Sequence, residues 1–219
     1  MSERVLVLIP MKAPTQAKSR LKSVLSDRER SALALSLFKV VVTRVKDAVQ
    51  RLSEVGGNRD IIDIAVISSS DTIESQAADL GIIYLEEETG DGLVAAVEEA
   101  AAKASWRGYK RLCILPGDLA DPSASDIIRL LSYPVDEGTI ALCPSQDLGT
   151  NALVVTLPSP MPFAFGPESF TRHFSLAADR GLMPVILPLK SLRRDIDTLA
   201  DLDYLDDNQT LGIMNREEA

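Results

Sequence analysis

Residues 5–25 read V-L-V-L-I-P-M-K-A-P-T-Q-A-K-S-R-L-K-S-V-L, and the expected fold follows from them. Every position from Val5 to Ile9 is apolar. A strand with no polar face is buried on both sides, as in a parallel sheet covered by helices. Pro10 and Pro14 stop the strand and hold an extended loop. The loop carries Lys12, Lys18, Arg20 and Lys22. No acid occurs in residues 11–25, although the 219-residue chain has a formal charge of -9. A purely basic loop after a buried strand points to a local anion site, set against a solvated basic loop as the plainer reading. The loop has no glycine and no G-x-x-x-x-G-K-[ST], so it is not a P-loop.

Working outward, strand and helix patterns alternate. Ser26-Asp27-Arg28-Glu29 has capping-box spacing and opens a helix whose apolar residues, Leu33, Leu37, Val40, Val41, Ala48 and Leu52, recur at helical intervals up to Gly56-Gly57-Asn58. Strands are expected at 61–67, 82–85 and 111–115. Between them lie a helix from Ser70-Asp71 to about Leu80, closed by Gly81, and an alanine-rich helix at 93–105. The second half is less regular. It has a short helix at 125–131, strands at 139–143 and 152–157 joined by P-S-Q-D-L-G-T-N, and a helix at 169–179. A last strand follows at 185–187, and Thr198 caps a C-terminal helix. This alternation predicts one α/β domain over residues 1–219: a three-layer α/β/α sandwich on a mixed, mostly parallel sheet.

Hydrophobic content of 46% supplies an ample core. No apolar run approaches the length of a membrane span, and the first strand starts too early for a signal peptide. Cys113 and Cys143, the only cysteines, sit in apolar runs and read as buried thiols of a cytoplasmic protein. The acidic balance argues against nucleic-acid binding.

Three groups of residues are candidates for chemistry. Asp118 follows a buried strand directly, where a carboxylate points into the ligand crevice of an α/β sheet. Asp195 and Asp197 have period-two spacing and face the same way if extended. Three carboxylates without histidine or thiolate partners suit a hard cation such as Mg²⁺; the alternative is a turn residue and helix caps. Gly149-Thr150-Asn151 and Gly166-Pro167-Glu168-Ser169 mark a second pair. Glycine admits close backbone approach to an anion, and a hydroxyl at a helix N-terminus completes a cradle, although a hairpin turn and an N-cap explain both as well. His173, the only histidine, reads as packed or exposed within its helix. Glu86-Glu87-Glu88 reads as a solvated acidic loop.

Together these pieces resemble the CofC family of guanylyltransferases of deazaflavin coenzyme F-420 biosynthesis. The matching segments are I-P-M-K, A-K-S-R-L, L-S-D-R-E-R, D-G-L, L-P-G-D-L, D-L-G-T-N-A-L, F-G-P-E-S-F-T-R-H and D-I-D-T-L-A-D-L. They run in family order over nearly the whole chain. The resemblance implies a Rossmann-like, glycosyltransferase-A-like nucleotidyltransferase fold, cytoplasmic and homodimeric. It implies transfer of GMP from GTP to 2-phospho-L-lactate, giving lactyl-2-diphospho-5′-guanosine and pyrophosphate, with phosphoenolpyruvate as an alternative acceptor and another nucleotide as an alternative donor. By the family pattern Asp118, Asp195 and Asp197 carry Mg²⁺, and Lys18, Arg20 and Asp118 are the catalytic candidates. Lys12, Lys18 and Arg20 hold the triphosphate, with Gly92 near the base. Thr150, Gly166 and Ser169 hold the phosphorylated acid. The family often has Asn where this chain has Val94, so contacts to the base here fall to backbone or to neighbours such as Ser70. A nucleotidyl transfer needs no histidine base, because the attacking phosphate oxygen is already ionised. The competing class is a nucleotide-binding regulatory protein without turnover.

Overall fold

The computed structural model describes residues 3–54 and 60–205. Seven strands form one sheet: β1 (Arg4–Pro10), β2 (Ile61–Ser68), β3 (Ile83–Glu86), β4 (Arg111–Ile114), β5 (Thr139–Pro144), β6 (Thr150–Thr156) and β7 (Met183–Ile186). Their order across the sheet is β3-β2-β1-β4-β6-β5-β7. All pairings are parallel except those of β6, which runs antiparallel to both β4 and β5. The short β5–β6 connection forces this, since only antiparallel neighbours can be joined by a hairpin.

Alternation along β1 shows how the layers form. Leu6 and Leu8 pack with α3 (Leu93–Trp106) and with Ala177 of α5 (Ser169–Asp179). Val7 and Ile9 pack on the other face, with α1 (Asp27–Glu54), α2 (Asp71–Leu80) and α4 (Ala124–Ser132). A strand buried by helices on both sides has no position for a polar residue, which explains the unbroken apolar run. The expected mixed, mostly parallel three-layer sandwich is the observed one.

The helix ends follow from their caps. Ser26 and Glu29 make the reciprocal pair ahead of α1: the Ser26 N–H donates to Glu29 Oε2 at 2.7 Å and the Glu29 N–H to Ser26 Oγ at 3.3 Å. The Gly56-Gly57-Asn58 end expected for this helix lies outside the described residues. Gly81 closes α2 in the left-handed conformation. Several boundaries shift by one or two residues from expectation; β6 begins at Thr150, two residues before its expected start. The last strand begins at Met183, because its pairing with β5 starts opposite Thr139. Thr198 and Asp201 form a capping box, but the segment they open is a 3-10 helix, Leu199–Tyr204, and the residues from 206 onward lie outside the described region. Cys113 and Cys143 are free and buried. Burial pushes their thiols up, to about 12 and about 11, so they stay protonated and unreactive. Among the described residues no helix is long and apolar enough to cross a membrane.

Candidate active site

A cavity of about 420 Å³ opens beyond the carboxyl ends of β1, β2 and β4. This is the crevice where α/β sheets bind ligands. Pro10, Ile67, Ile114, Pro116 and Gly117 form its floor, and Lys12, Lys18, Arg20, Glu87, Gly92, Asp118, Thr150 and Asp197 reach its wall.

Asp118 and Asp197 line this cavity, and Asp195, which does not line it, lies against them. Asp118, Asp195 and Asp197 each offer a carboxylate oxygen, and these oxygens all lie within 4.8 Å of one another. Backbone pairing brings them together. Leu119 bridges Asp195 in antiparallel fashion, the Ile196 N–H donates to the Asp118 carbonyl at 3.0 Å, and the Ala120 N–H donates to the Arg194 carbonyl at 3.0 Å. Ile196 is wholly buried beside Leu21, Leu33, Leu37 and Ala120. Alternation about that anchor turns Asp195 and Asp197 the opposite way. Gly117 packs closely: a Cβ there would meet Met11 Sδ, so the flexible Met11 side chain would have to move.

Crowding the carboxylates has an electrostatic cost. Burial, then the charges of Asp118 and Asp197, push Asp195 up to about 6, although Asn151 Nδ2 donates to its Oδ1 at 3.4 Å. Hard oxygen donors and concentrated negative charge fit a divalent cation such as Mg²⁺.

Lys18 provides part of the compensation. Its Nζ lies 2.5 Å from Asp118 Oδ2 and 3.1 Å from Asp197 Oδ1, and its side chain is 3% exposed. Burial works against the ammonium, but the two aspartates outweigh it and its pKa is raised. Arg20 reaches Asp197 Oδ2 at 3.6 Å from a side chain that is 67% exposed. Lys12 is exposed at the rim. Arg30, which the sequence did not single out, holds the basic loop from beneath. It is buried in α1 and donates from Nη1 to the Ala17 carbonyl at 2.7 Å.

Of the expected acceptor residues Thr150, Gly166 and Ser169, only Thr150 lines the cavity. Thr150 is the first residue of β6. Ser169, at the start of α5, is 1% exposed and its hydroxyl donates to Thr150 Oγ1 at 3.1 Å. His173 lies one turn further along α5, 3.0 Å from the same oxygen through Nδ1. Gly166 is exposed, with φ +117°, a conformation that favours glycine. The loop around it is clamped by Arg172 Nη2, which donates to the carbonyls of Phe165 (3.2 Å) and Pro167 (2.9 Å). Ser70 sits in the β2–α2 turn, away from the cavity lining. Gly92, with φ +91°, precedes α3 and does line it.

One cavity residue was missed in the sequence, and for His173 the packed alternative is the observed one. Glu87, read as part of a solvated loop, is half-buried in the cavity wall. Burial and Glu99 push its pKa up, while Lys12 pulls it down. His173 is wholly buried. Its spacing betrayed it: Ser169, His173 and Ala177 recur every four residues and form the buried stripe of α5. Among the described residues the non-glycine positions with positive φ are Lys18, which lines the cavity, and Leu148 and Glu168, which lie within two residues of Thr150 and Ser169 in sequence. Strained backbone of this kind collects where function over-determines the fold.

The protein-family model described as "Guanylyl transferase CofC like" matches residues 5–206. A 3-phospho-D-glycerate guanylyltransferase of Colwellia psychrerythraea is 34% identical over 92% of this chain and 91% of its own length. A phosphoenolpyruvate guanylyltransferase of Rubrobacter xylanophilus is 33% identical over 92% and 93%. A 2-phospho-L-lactate guanylyltransferase of Methanothermobacter thermautotrophicus is 30% identical over 89% and 81%. In fold, the chain is similar to a solved 4-diphosphocytidyl-2C-methyl-D-erythritol synthase, with a TM-score of 0.58 at 12% identity over 93% of this chain and 96% of that one.

Proposed function

This chain belongs to the CofC-like guanylyl transferase family, and we propose that it transfers the guanylyl group of GTP to a phosphorylated three-carbon acid, releasing pyrophosphate. The observation that carries this reading is the convergence of Asp118, Asp195 and Asp197 at a cavity whose rim is the basic loop. In the step proposed, an ionised phosphate oxygen of the acid attacks the α-phosphorus of GTP. The bond from that phosphorus to the bridging oxygen breaks, and pyrophosphate leaves with the electron pair. No side chain has to remove a proton.

Lys12, Lys18 and Arg20 are assigned to the triphosphate and to the charge that builds on the leaving pyrophosphate. The three aspartates are assigned to Mg²⁺, which when bound would supply positive charge to offset that of the reacting phosphates. Thr150 is assigned to the acceptor. Glu87 is assigned to guanine, whose N1–H and N2 amino group are adjacent donors for one carboxylate; adenine offers no such pair. This supplies the base contact that Val94 cannot.

The expected acceptor, 2-phospho-L-lactate, is one of three that the relatives' names carry. In 2-phospho-L-lactate and phosphoenolpyruvate the phosphate is on the carbon next to the carboxylate; in 3-phospho-D-glycerate it is one carbon further away. A site with a fixed carboxylate contact therefore separates these classes by where it puts the attacking oxygen. The test is pyrophosphate release with GTP, Mg²⁺ and each of the three acids, with mass spectrometry of the product. Release with one of them supports the enzyme; nucleotide binding with no release from any of them supports a regulatory protein. In the same assay Glu87→Gln should narrow the preference for GTP over ATP by about tenfold. An unchanged preference removes Glu87 from base recognition.

A further inference from the structure

We propose that His173, buried and outside the cavity wall, is a positioning residue that aims the Thr150 hydroxyl at the acceptor. The inference deepens the guanylyltransferase reading and rests on it for the identity of the ligand.

The Ala164 backbone N–H donates to His173 Nε2 at 2.9 Å. A backbone N–H can only donate, so Nε2 is the unprotonated nitrogen and the single ring proton of the neutral imidazole is on Nδ1. Burial keeps the ring neutral, with its pKa lowered to about 4. The Nδ1–H therefore donates to Thr150 Oγ1, 3.0 Å away. The Ser169 hydroxyl donates to the same oxygen at 3.1 Å. A threonine hydroxyl has two lone pairs and one proton. Both lone pairs are engaged from the α5 side, so the remaining proton is turned outward, and Thr150 lines the cavity.

Thr150 is thus an obligate donor at the cavity wall. It suits a group with only acceptors to offer, such as a carboxylate or phosphate oxygen, and disfavours a donor in the same place. Rigidity comes from the surroundings. Ser169 and His173 lie one turn apart on a single face of α5. The edge of the imidazole meets the ring of Phe165, with centroids 4.8 Å apart and planes at 73°. Ser169 is then a second positioning residue; its hydroxyl is spent on Thr150 and acts on the acceptor through it.

The test uses the two amides that mimic opposite ends of imidazole. Asn places its amide nitrogen near the Nδ1 position and can still donate to Thr150; Gln reaches the Nε2 position and cannot. Equilibrium binding of phosphoenolpyruvate, 3-phospho-D-glycerate and 2-phospho-L-lactate is measured by calorimetry, independently of turnover, alongside both KM values. His173→Gln should weaken binding of the preferred acid by about tenfold, with the GTP KM held within about twofold. His173→Asn should recover most of the loss. Thr150→Val should weaken the acid at least as much, and adding His173→Gln to it should cost nothing further.

Wild-type acid affinity in folded His173→Gln, or additive losses in the double variant, would overturn the proposal. So would equal losses in His173→Gln and His173→Asn accompanied by a raised GTP KM, the pattern of simple misfolding. If His173→Gln does not fold, weak acid binding by folded His173→Asn overturns it. Failure of the wild type to bind any of the acids also overturns it. If the wild type binds an acid and releases no pyrophosphate, the enzymatic reading fails, and the binding comparison still decides the role of His173.

Discussion

The basic-loop wall of the cavity and the β6–α5 wall would offer an anion different things. On the first, Lys12 and Arg20 are long, solvated cations on a loop of 3-10 turns, and only Lys18 is buried, against Asp118 and Asp197. On the second, no cation among the described residues lines the cavity. A single hydroxyl, Thr150, is held by Ser169 and His173 in the dry interior. Long charged chains attract at a distance and adapt to a flexible triphosphate, but they are screened by salt. Short buried groups neither reach nor screen; they fix one direction. The first wall therefore suits affinity for a highly charged ligand and the second suits discrimination among small ones.

The comparison breaks most sharply at the carboxylates that both walls share. Asp118→Asn should lower kcat by about a thousandfold or more, comparable to removing a key electrostatic group from an active site, while thermal melting stays close to wild type. The residue is partly exposed, so its side chain contributes little packing. Pyrophosphate release at saturating Mg²⁺ and a melting curve check this. Near-normal turnover would remove Asp118 from the metal assignment.

The dry wall predicts a pH effect on stability. The unfolded chain takes up a proton on histidine near 6.5, whereas folded His173 resists it until about 4. Between those values the unfolded state binds more protons, so stability rises with pH. The contribution is fully present above about 6.5 and is lost as pH falls toward 4. The gap is worth at most roughly 3 kcal/mol. Denaturant unfolding at pH 7 and pH 4.5 should show wild type losing more stability than His173→Gln. Parallel losses in the two proteins would mean that the ring is solvated.

On the basic wall, Lys18→Ala should weaken GTP binding by about tenfold to a hundredfold, the worth of a charge-assisted hydrogen bond. Arg20→Ala should cost less, about tenfold at most, and its effect should shrink between 50 and 300 mM salt, values chosen as roughly bracketing a Debye length of 10 Å. Titrations of GTP at both ionic strengths separate them. Equal, salt-insensitive losses would mean that exposure does not distinguish the two residues.

Much of this protein is local, and local features are legible in one dimension. The double burial of β1 is written in the unbroken run from Val5 to Ile9. The ends of α1 and α2 are written in Ser26, Glu29 and Gly81. Asp118 could be placed at a strand end because the run Leu112, Cys113, Ile114 and Leu115 precedes it with only Pro116 and Gly117 between. Each depends on contacts within a turn or a strand pleat, so the periodicity of side chains carries the information.

What tertiary structure alone decided are the encounters between distant segments. Period-two spacing said that Asp195 and Asp197 face one way; only the backbone pairing of Leu119 with Asp195 brings them to Asp118. The same holds for β6, whose place between β4 and β5 puts Thr150 at the cavity. Glu87 belongs to an acidic triplet with nothing to separate it from its neighbours until the loop folds over the sheet. His173 showed only a four-residue spacing from Ser169, and its partner lies on another element. Sequence pattern fixes which face a residue presents; register and chain crossing determine what that face meets, and a hydrogen bond between elements depends on both.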